Sequence, residues 1–409
     1  MENKDILLKS LAYKKYYTNT DLRMNKNYGF LLSNQQLNDY LDFKENVDDQ
    51  NKIVLPLVSW NSKMLYLFQS SELMSEISEY IEYFFEDYSS HKSSYTERNL
   101  NEVFIGIICS ELEGTLKIEG VNTTRRQIEK IIKENNPKDK NDLIIINMIR
   151  GLDYIKKAKE FNKKSLKELY DILSYGCLEP EDEIGELYYR NDSVYVAEHS
   201  GCPVDRIDEC MDSLFRYTSE CLNSKDNVKR FLLPFIVHYY ILYIHPYFDY
   251  NGRTARMVQL WIYILLGDIH PIYLSEAIND FKKDYYKAID NSRYSRNDLS
   301  YFIIYLLKLI NSYSLVQKNL ESIKEELESE GETITEKELH YLKKIIINKK
   351  IKWFNFKKFI DFENLDITRQ GALKILNNFV DLGLLESKTN SKNEKIFILN
   401  DRIIKFDLK

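Results

Sequence analysis

Apolar positions recur every three to four residues along most of this 409-residue chain, the spacing that lines one face of a helix. In LYLFQSSELMSEISEYIEYFF (65–85), Leu65, Phe68, Leu73, Ile77, Ile81 and Phe84 keep that rhythm and predict one amphipathic helix or two short ones. Longer helical patterns fill about 96–310, among them NEVFIGIICSELEG, NDLIIINMIRGLDYIKKAKE, VKRFLLPFIVHYYILYI and MVQLWIYILLG. The period changes at GELYYRNDSVYVAE (185–198). There Val194 and Val196 flank Tyr195 after the turn formers Asn191, Asp192 and Ser193, which predicts a short β-hairpin. A charged helix at 317–332 reads as a connector, and from 336 the order is helix, helix, helix and a polar hairpin.

That last order is the winged helix pattern. The chain is therefore read as mainly α, in four segments. Residues 1–95 are an N-terminal helical extension, 96–312 a helical core with a small β-hairpin flap, 313–335 a helical connector, and 336–409 a winged helix domain.

Composition supports the helical reading. The chain has 13 Gly and 7 Pro in 409 residues, well below the usual ~7% and ~5%, which argues against a sandwich or barrel built on many tight turns. With 44% hydrophobic residues the chain can build sizeable cores, so wholesale disorder is excluded. The net charge of −6 excludes a uniformly basic nucleic-acid coat. It is nevertheless segregated: sixteen basic against ten acidic side chains give 336–409 a balance of +6 and leave −12 for the rest. Five cysteines without CxxC spacing argue against a disulfide framework or a structural zinc site. The opening MENKDILLKSLAYKKYY lacks the apolar core of a signal peptide, and FIVHYYILYI (235–244) falls short of a membrane span. The expectation is a cytoplasmic protein with no membrane partner.

The chemistry is concentrated in HPYFDYNGRTAR (245–256), between two apolar helices. Gly252 lets backbone N–H groups approach an anion, and a helix beginning near Arg253 adds its dipole. Arg253 and Arg256, three apart on the first turn, can each fork onto phosphate oxygens. Asp249 is a hard oxygen ligand suited to Mg²⁺ bridging phosphates. His245 can take a proton from an incoming hydroxyl. A polar loop with capping side chains is the plainer reading, but six functional residues in twelve weigh against it.

This stretch resembles the signature of the Fic (filamentation induced by cAMP) family, HPFx[D/E]GNGRxxR. The resemblance extends more loosely over about 100–310, where helices and a hairpin flap precede the motif. Fic enzymes mostly transfer AMP from ATP to a Ser, Thr or Tyr hydroxyl of a target protein. The resemblance implies that His245 deprotonates the target hydroxyl and Asp249 holds Mg²⁺ against the α- and β-phosphates. Asn251, Gly252 and Arg253 would line the anion hole, Arg256 would meet the γ-phosphate, and Tyr247 would replace the motif's Phe as a buried anchor. The family's first Gly is Tyr250 here; a positive φ at that residue would cost a Tyr about 1 kcal/mol or more. Doc-like members, which phosphorylate, carry Lys at the second Gly position. This chain keeps Gly252, which favours AMP transfer.

TLKIEG (115–120) matches the family's inhibitory pattern [S/T]xxxE[G/N], with Thr115 first and Glu119 as the acid. The resemblance implies that Glu119 pairs with Arg256 and obstructs the γ-phosphate, a charge switch on one guanidinium. The flap, through Val194 and Val196, would clamp a target segment by strand pairing, and Tyr285 and Tyr286 are candidates for an adenine pocket. Thr368, Arg369 and Gln370 begin the tail's third helix, and Lys388, Lys392 and Lys395 lie on the wing. DNA is one candidate partner of the tail and a docked protein the other. With 31 Tyr, self-modification is a reasonable side activity, and a homo-oligomer stays open. The leading expectation is a Mg²⁺- and ATP-dependent protein adenylyltransferase. The alternatives are a nucleotide-sensing DNA-binding regulator with a degenerate core, and a variant that removes AMP or transfers phosphate.

Overall fold

Helices dominate the computed structural model, which describes all residues except 1, 25–30, 84–110, 122, 124, 135, 197–198, 268–273, 348–353, 362–367, 401–402 and 404–409. The part of NEVFIGIICSELEG before residue 111 lies outside the described residues. The chain forms two units, Met1–Ile310 and Asn311–Lys409.

In the first unit, α1 (Asn3–Ala12), α2 (Asn19–Met24) and α3 (Asn34–Asn46) precede β1 (Lys52–Val58), β2 (Met64–Phe68) and α4 (Ser71–Tyr83). Residues 65–68, expected to be helical, are therefore a strand. β2 pairs antiparallel with β1, Lys52 opposite Phe68 and Val54 opposite Tyr66. The ladder is irregular between Val54 and Val58, where Pro56 has no N–H to give. A four-residue apolar run has no period of its own; here long-range partners decide it, for Tyr66 N–H donates to Asn297 O (3.1 Å) and Tyr66 O accepts from Leu299 N–H (2.9 Å). The same corner holds a wholly buried ion pair, Lys44 Nζ to Asp298 Oδ2 at 2.8 Å. Tyr16 donates its hydroxyl to that carboxylate (2.8 Å) and Ser300 its N–H (3.0 Å).

The helical succession continues with α5 (111–118), α6 (Arg125–Glu134), α7 (Lys140–Lys157) and α8 (Lys163–Ser174). After the hairpin of β3 (Tyr195–Val196) and β4 (His199–Ser200) come α9 (Val204–Leu222), α10 (Asn227–Ile244), α11 (Asn251–Leu266), α12 (Leu274–Asp280) and α13 (Lys282–Tyr294). A hairpin is present as the alternation predicts: Tyr195 pairs with Ser200 and Val196 with His199, so both strands follow Asn191–Ser193. α10 is buried on almost every side from Phe231 to Ile244, the signature of a central helix. It packs along α11, whose Trp261 is fully buried and donates Nε1–H to Ala158 O at 3.1 Å. These two helices hold the loop between them on a rigid base.

α14 (Ser300–Ser329) runs from the first unit into the second. The stretch read as a connector is helical, and it also supplies Val316, Leu320, Ile323 and Leu327 to the second unit's core. α15 (Glu336–Ile347), α16 (Phe356–Asp361), α17 (Arg369–Asp381) and the antiparallel pair β5 (Leu385–Thr389) and β6 (Lys395–Leu399) complete that core through Leu342, Leu376, Phe379 and Phe397. Phe354 adds an antiparallel bridge to Phe397.

Candidate active site

Both ends of the loop between α10 and α11 adopt the left-handed conformation. His245, the C-cap of α10, has φ +56°, and Tyr250, the N-cap of α11, has φ +66°. Two side chains fix the path between them. Asn251 Nδ2 donates to Tyr247 O (2.8 Å) while its Oδ1 accepts from Tyr247 N–H (3.0 Å). Tyr247 is fully buried and stacks on Tyr170 with ring centroids 3.7 Å apart, the anchoring position expected for it. The amide of Asn251 is thus engaged by the loop's own backbone.

The positive φ at Tyr250 carries a steric cost that its surroundings offset. Its ring lies 3.5 Å from the Arg253 guanidinium carbon, a stacked cation–π contact, and its N–H donates to Asp249 Oδ1 at 2.6 Å. Arg253 is buried, its Nε has no hydrogen-bond partner among the described residues, and an Nη lies 3.7 Å from Asp249 Oδ2.

Arg256 is held from the other side. Its Nε donates to Thr115 Oγ1 at 2.6 Å, and its Nη2 donates to Glu119 Oε1 in a close ion pair. Glu119 stands at the end of α5, and its carboxylate lies over the first turn of α11. A Cβ built on Gly252 would meet Glu119 Oε1 at 2.6 Å, so only glycine admits the carboxylate this close. Burial pushes the Glu119 carboxyl up, but Arg256, helped by Arg253 and Lys282, outweighs it and holds the group below the usual range. A chain carboxylate thus occupies the anion position that the helix N-terminus and Arg256 create.

On the opposite side, burial pulls the half-buried His245 down to about 4, so its imidazole is neutral at pH 7. Its Nδ1 is buried with no hydrogen bond of good geometry among the described residues, though the Leu242 backbone partly offsets the shift. The hairpin lies alongside: Gly201 N–H donates to Val194 O (2.8 Å) and Cys202 N–H to Ile244 O (3.1 Å). Val194 flanks the pairing that Val196 enters as part of β3. Asp249 is about half exposed. Among the described residues no group of three His, Cys, Asp or Glu could hold a metal. One hard oxygen beside a phosphate-type site fits an ion whose other ligands arrive with a nucleotide.

The two tyrosines separate. Tyr286 is 45% exposed, whereas Tyr285 is buried with its hydroxyl 2.8 Å from His238 Nε2. His238 in turn contacts Gln259 through Nδ1, so Tyr285 belongs to a polar chain behind Arg256. Periodicity gave no sign of that chain, nor of the contacts that seat α5. Glu111 accepts from Ser275 N–H at 3.1 Å and Lys282 Nζ donates to Ile118 O. In the second unit Thr368, Arg369 and Gln370 are exposed at the start of α17, as are Lys388, Lys392 and Lys395 on the hairpin.

Residues 160–263 match the Fic/DOC family. A Fic family protein from Desulfovibrio desulfuricans is similar in structure at 18% identity, covering 81% of this chain and 96% of its own, with a TM-score of 0.50. Fic-1 of C. elegans (its residues 134–508) is 18% identical over 62% of this chain and 72% of its own, with a TM-score of 0.45. A Fic domain containing signaling protein from Bacteroides thetaiotaomicron is 17% identical over 65% of this chain and 99% of its own, at 0.44. At 18% identity and a TM-score of 0.50, the likeness to the Desulfovibrio protein is one of fold. With the family match spanning the loop, its flanking helices and the hairpin, residues 160–263 of this chain are a Fic/DOC-family domain.

Proposed function

We propose that this chain is a protein adenylyltransferase that moves AMP from ATP to a hydroxyl of a target protein, with Glu119 restraining it. Fic domains generally transfer nucleoside monophosphates to proteins; the choice of AMP rests on Gly252. The observation that carries the reading is the Glu119 carboxylate seated on Gly252 and Arg256, beside a neutral His245. A site whose guanidinium must be freed from a carboxylate before it meets phosphate suits a restrained anion-transfer enzyme.

The neutral imidazole of His245 takes the proton of the target hydroxyl as its oxygen attacks the α-phosphorus. The bond from that phosphorus to the bridging oxygen breaks, and pyrophosphate leaves. Arg253 and the first turn of α11 stabilise the charge on the phosphates, a matter of positioning and electrostatics. Asp249 would hold Mg²⁺, which when bound neutralises phosphate charge. Once Glu119 swings away, Arg256 is free to meet the γ-phosphate.

Incubation with α- and γ-labelled ATP tests this. Label entering protein from the α position alone, increased by Glu119→Gly and lost on adding His245→Ala, is the expected result. Label from γ alone would make the chain a kinase. No label with Glu119→Gly in a lysate of the source organism would leave the nucleotide-sensing reading.

For the second unit we propose a winged helix that touches DNA, supported by the exposed Thr368–Gln370 and hairpin lysines and the +6 balance of 336–409. A gel shift with and without 336–409 is expected to show salt-sensitive binding only when the segment is present; salt-independent or absent binding removes the claim.

A further inference from the structure

Arg190 lies just before the hairpin, is 2% exposed, and touches none of the residues assigned above to the nucleotide. Its guanidinium is spent on backbone. Nε donates to His245 O at 2.9 Å, Nη1 to Asp192 O at 2.6 Å, and Nη2 to Cys202 O. Its own N–H donates to Pro246 O at 2.9 Å. These four bonds converge on three places: the end of α10 with its left-handed cap, the entry to the hairpin, and the exit from it.

The His245 carbonyl is one of the groups a helix C-terminus leaves unpaired. The planar fork of an arginine carries donors on three separate nitrogens and can serve it and two further carbonyls that lie apart, whereas a lysine's three donors share a single nitrogen. The packing is close, because a Cβ on Gly201 would meet Arg190 Nη2 at 2.9 Å and Val194 Cγ1 at 2.8 Å. Since the Cys202 N–H also reaches Ile244 O (3.1 Å), the hairpin and the catalytic loop are joined on both sides of one buried cation.

We infer that Arg190 is a positioning residue that fixes His245 relative to the hairpin, so that a peptide pairing with the hairpin meets the imidazole at a set distance. The inference deepens the adenylyltransferase reading and rests on it for its kinetic consequence. Its structural half stands apart.

The test uses full-length protein carrying Arg190→Gln, Arg190→Lys or Gly201→Ala, each in the Glu119→Gly background. Amide exchange is read at residues 190, 201 and 202, with Leu299, whose N–H bonds to Tyr66 O, as a distant control. Arg190→Gln is expected to speed exchange at all three sites by about 10-fold or more while Leu299 changes less than about 2-fold. Arg190→Lys is expected to fall between it and the parent. Gly201→Ala displaces the guanidinium without deleting it and is expected to give the same pattern at lower amplitude. In transfer, kcat is expected to drop roughly 10- to 100-fold with KM for ATP within about 3-fold, since the loss is one of alignment. Unchanged exchange at the three amides, or an equal rise at Leu299, overturns the inference. If the Glu119→Gly parent transfers nothing, the enzymatic reading fails and the exchange pattern alone decides the anchoring role.

Discussion

The two sides of the loop between α10 and α11 are provided for in opposite ways. On the α11 side the charge is met from within the chain: Arg256 has Glu119 and Thr115, and Arg253 lies on the Tyr250 ring. On the α10 side burial holds His245 neutral, and its Nδ1 has no hydrogen bond of good geometry among the described residues. The difference teaches that, under the proposed function, restraint would be electrostatic and local to the anion position, while the proposed base would already be neutral.

The comparison breaks most sharply at His245. In a Glu119→Gly background, His245→Ala is expected to lower transfer from α-labelled ATP by about 10³-fold, the usual contribution of a positioned base. A loss under about 10-fold would show that the α10 side is not the proton side. Next comes release of the α11 side. A charge-assisted hydrogen bond contributes about 1.5–3 kcal/mol, so Glu119→Gly is expected to raise transfer roughly 10- to 100-fold, with Glu119→Gln between it and the parent. Labelling time courses measure both.

A smaller effect is expected with pH. His245 is held at about 4 and His238 at about 3, against an ordinary 6.5. Both therefore bind protons on unfolding before they do so when folded, and the fold loses stability as pH falls from 6.5 toward 4. The acid limb of transfer is correspondingly expected near 4; a limb at 6.5 in the pH–rate profile would place His245 in a more open setting. The last test reads stability alone, at Tyr250. Tyr250→Gly relieves about 1–2 kcal/mol of left-handed strain but deletes a buried ring, a loss of about 3–5 kcal/mol, so the denaturant midpoint is expected to fall. Tyr250→Ala keeps the strain and loses the ring, and its midpoint is expected to fall below both.

What the sequence disclosed follows from how far apart the cooperating residues stand. His245 to Arg256 are contiguous, so their chemistry reads directly, and Glu119 was reachable because a short motif carries it. The positive φ of Tyr250 was conditional in the sequence, since a ring on an arginine is a packing outcome. β2 reads as helix in the sequence because an apolar LYLF run takes its identity from Asn297 and Leu299, more than two hundred residues later. Shorter gaps, 47 and 55 residues, hid Tyr285 behind His238 and Arg190 behind His245, the latter in a stretch that reads only as a turn.

The ion pair of Lys44 with Asp298 sets a rule for dissecting this protein. A fragment that starts after the first ninety-five residues would keep the carboxylate and lose both the ammonium and the Tyr16 hydroxyl. Removing one partner of a buried pair costs about 3–5 kcal/mol, a large share of what a domain of this kind has to spare. The opening helices and strands therefore have to be co-expressed with the segment that carries the loop, and a fragment running from about residue 96 to 310, which keeps Asp298 without Lys44, would be expected to precipitate.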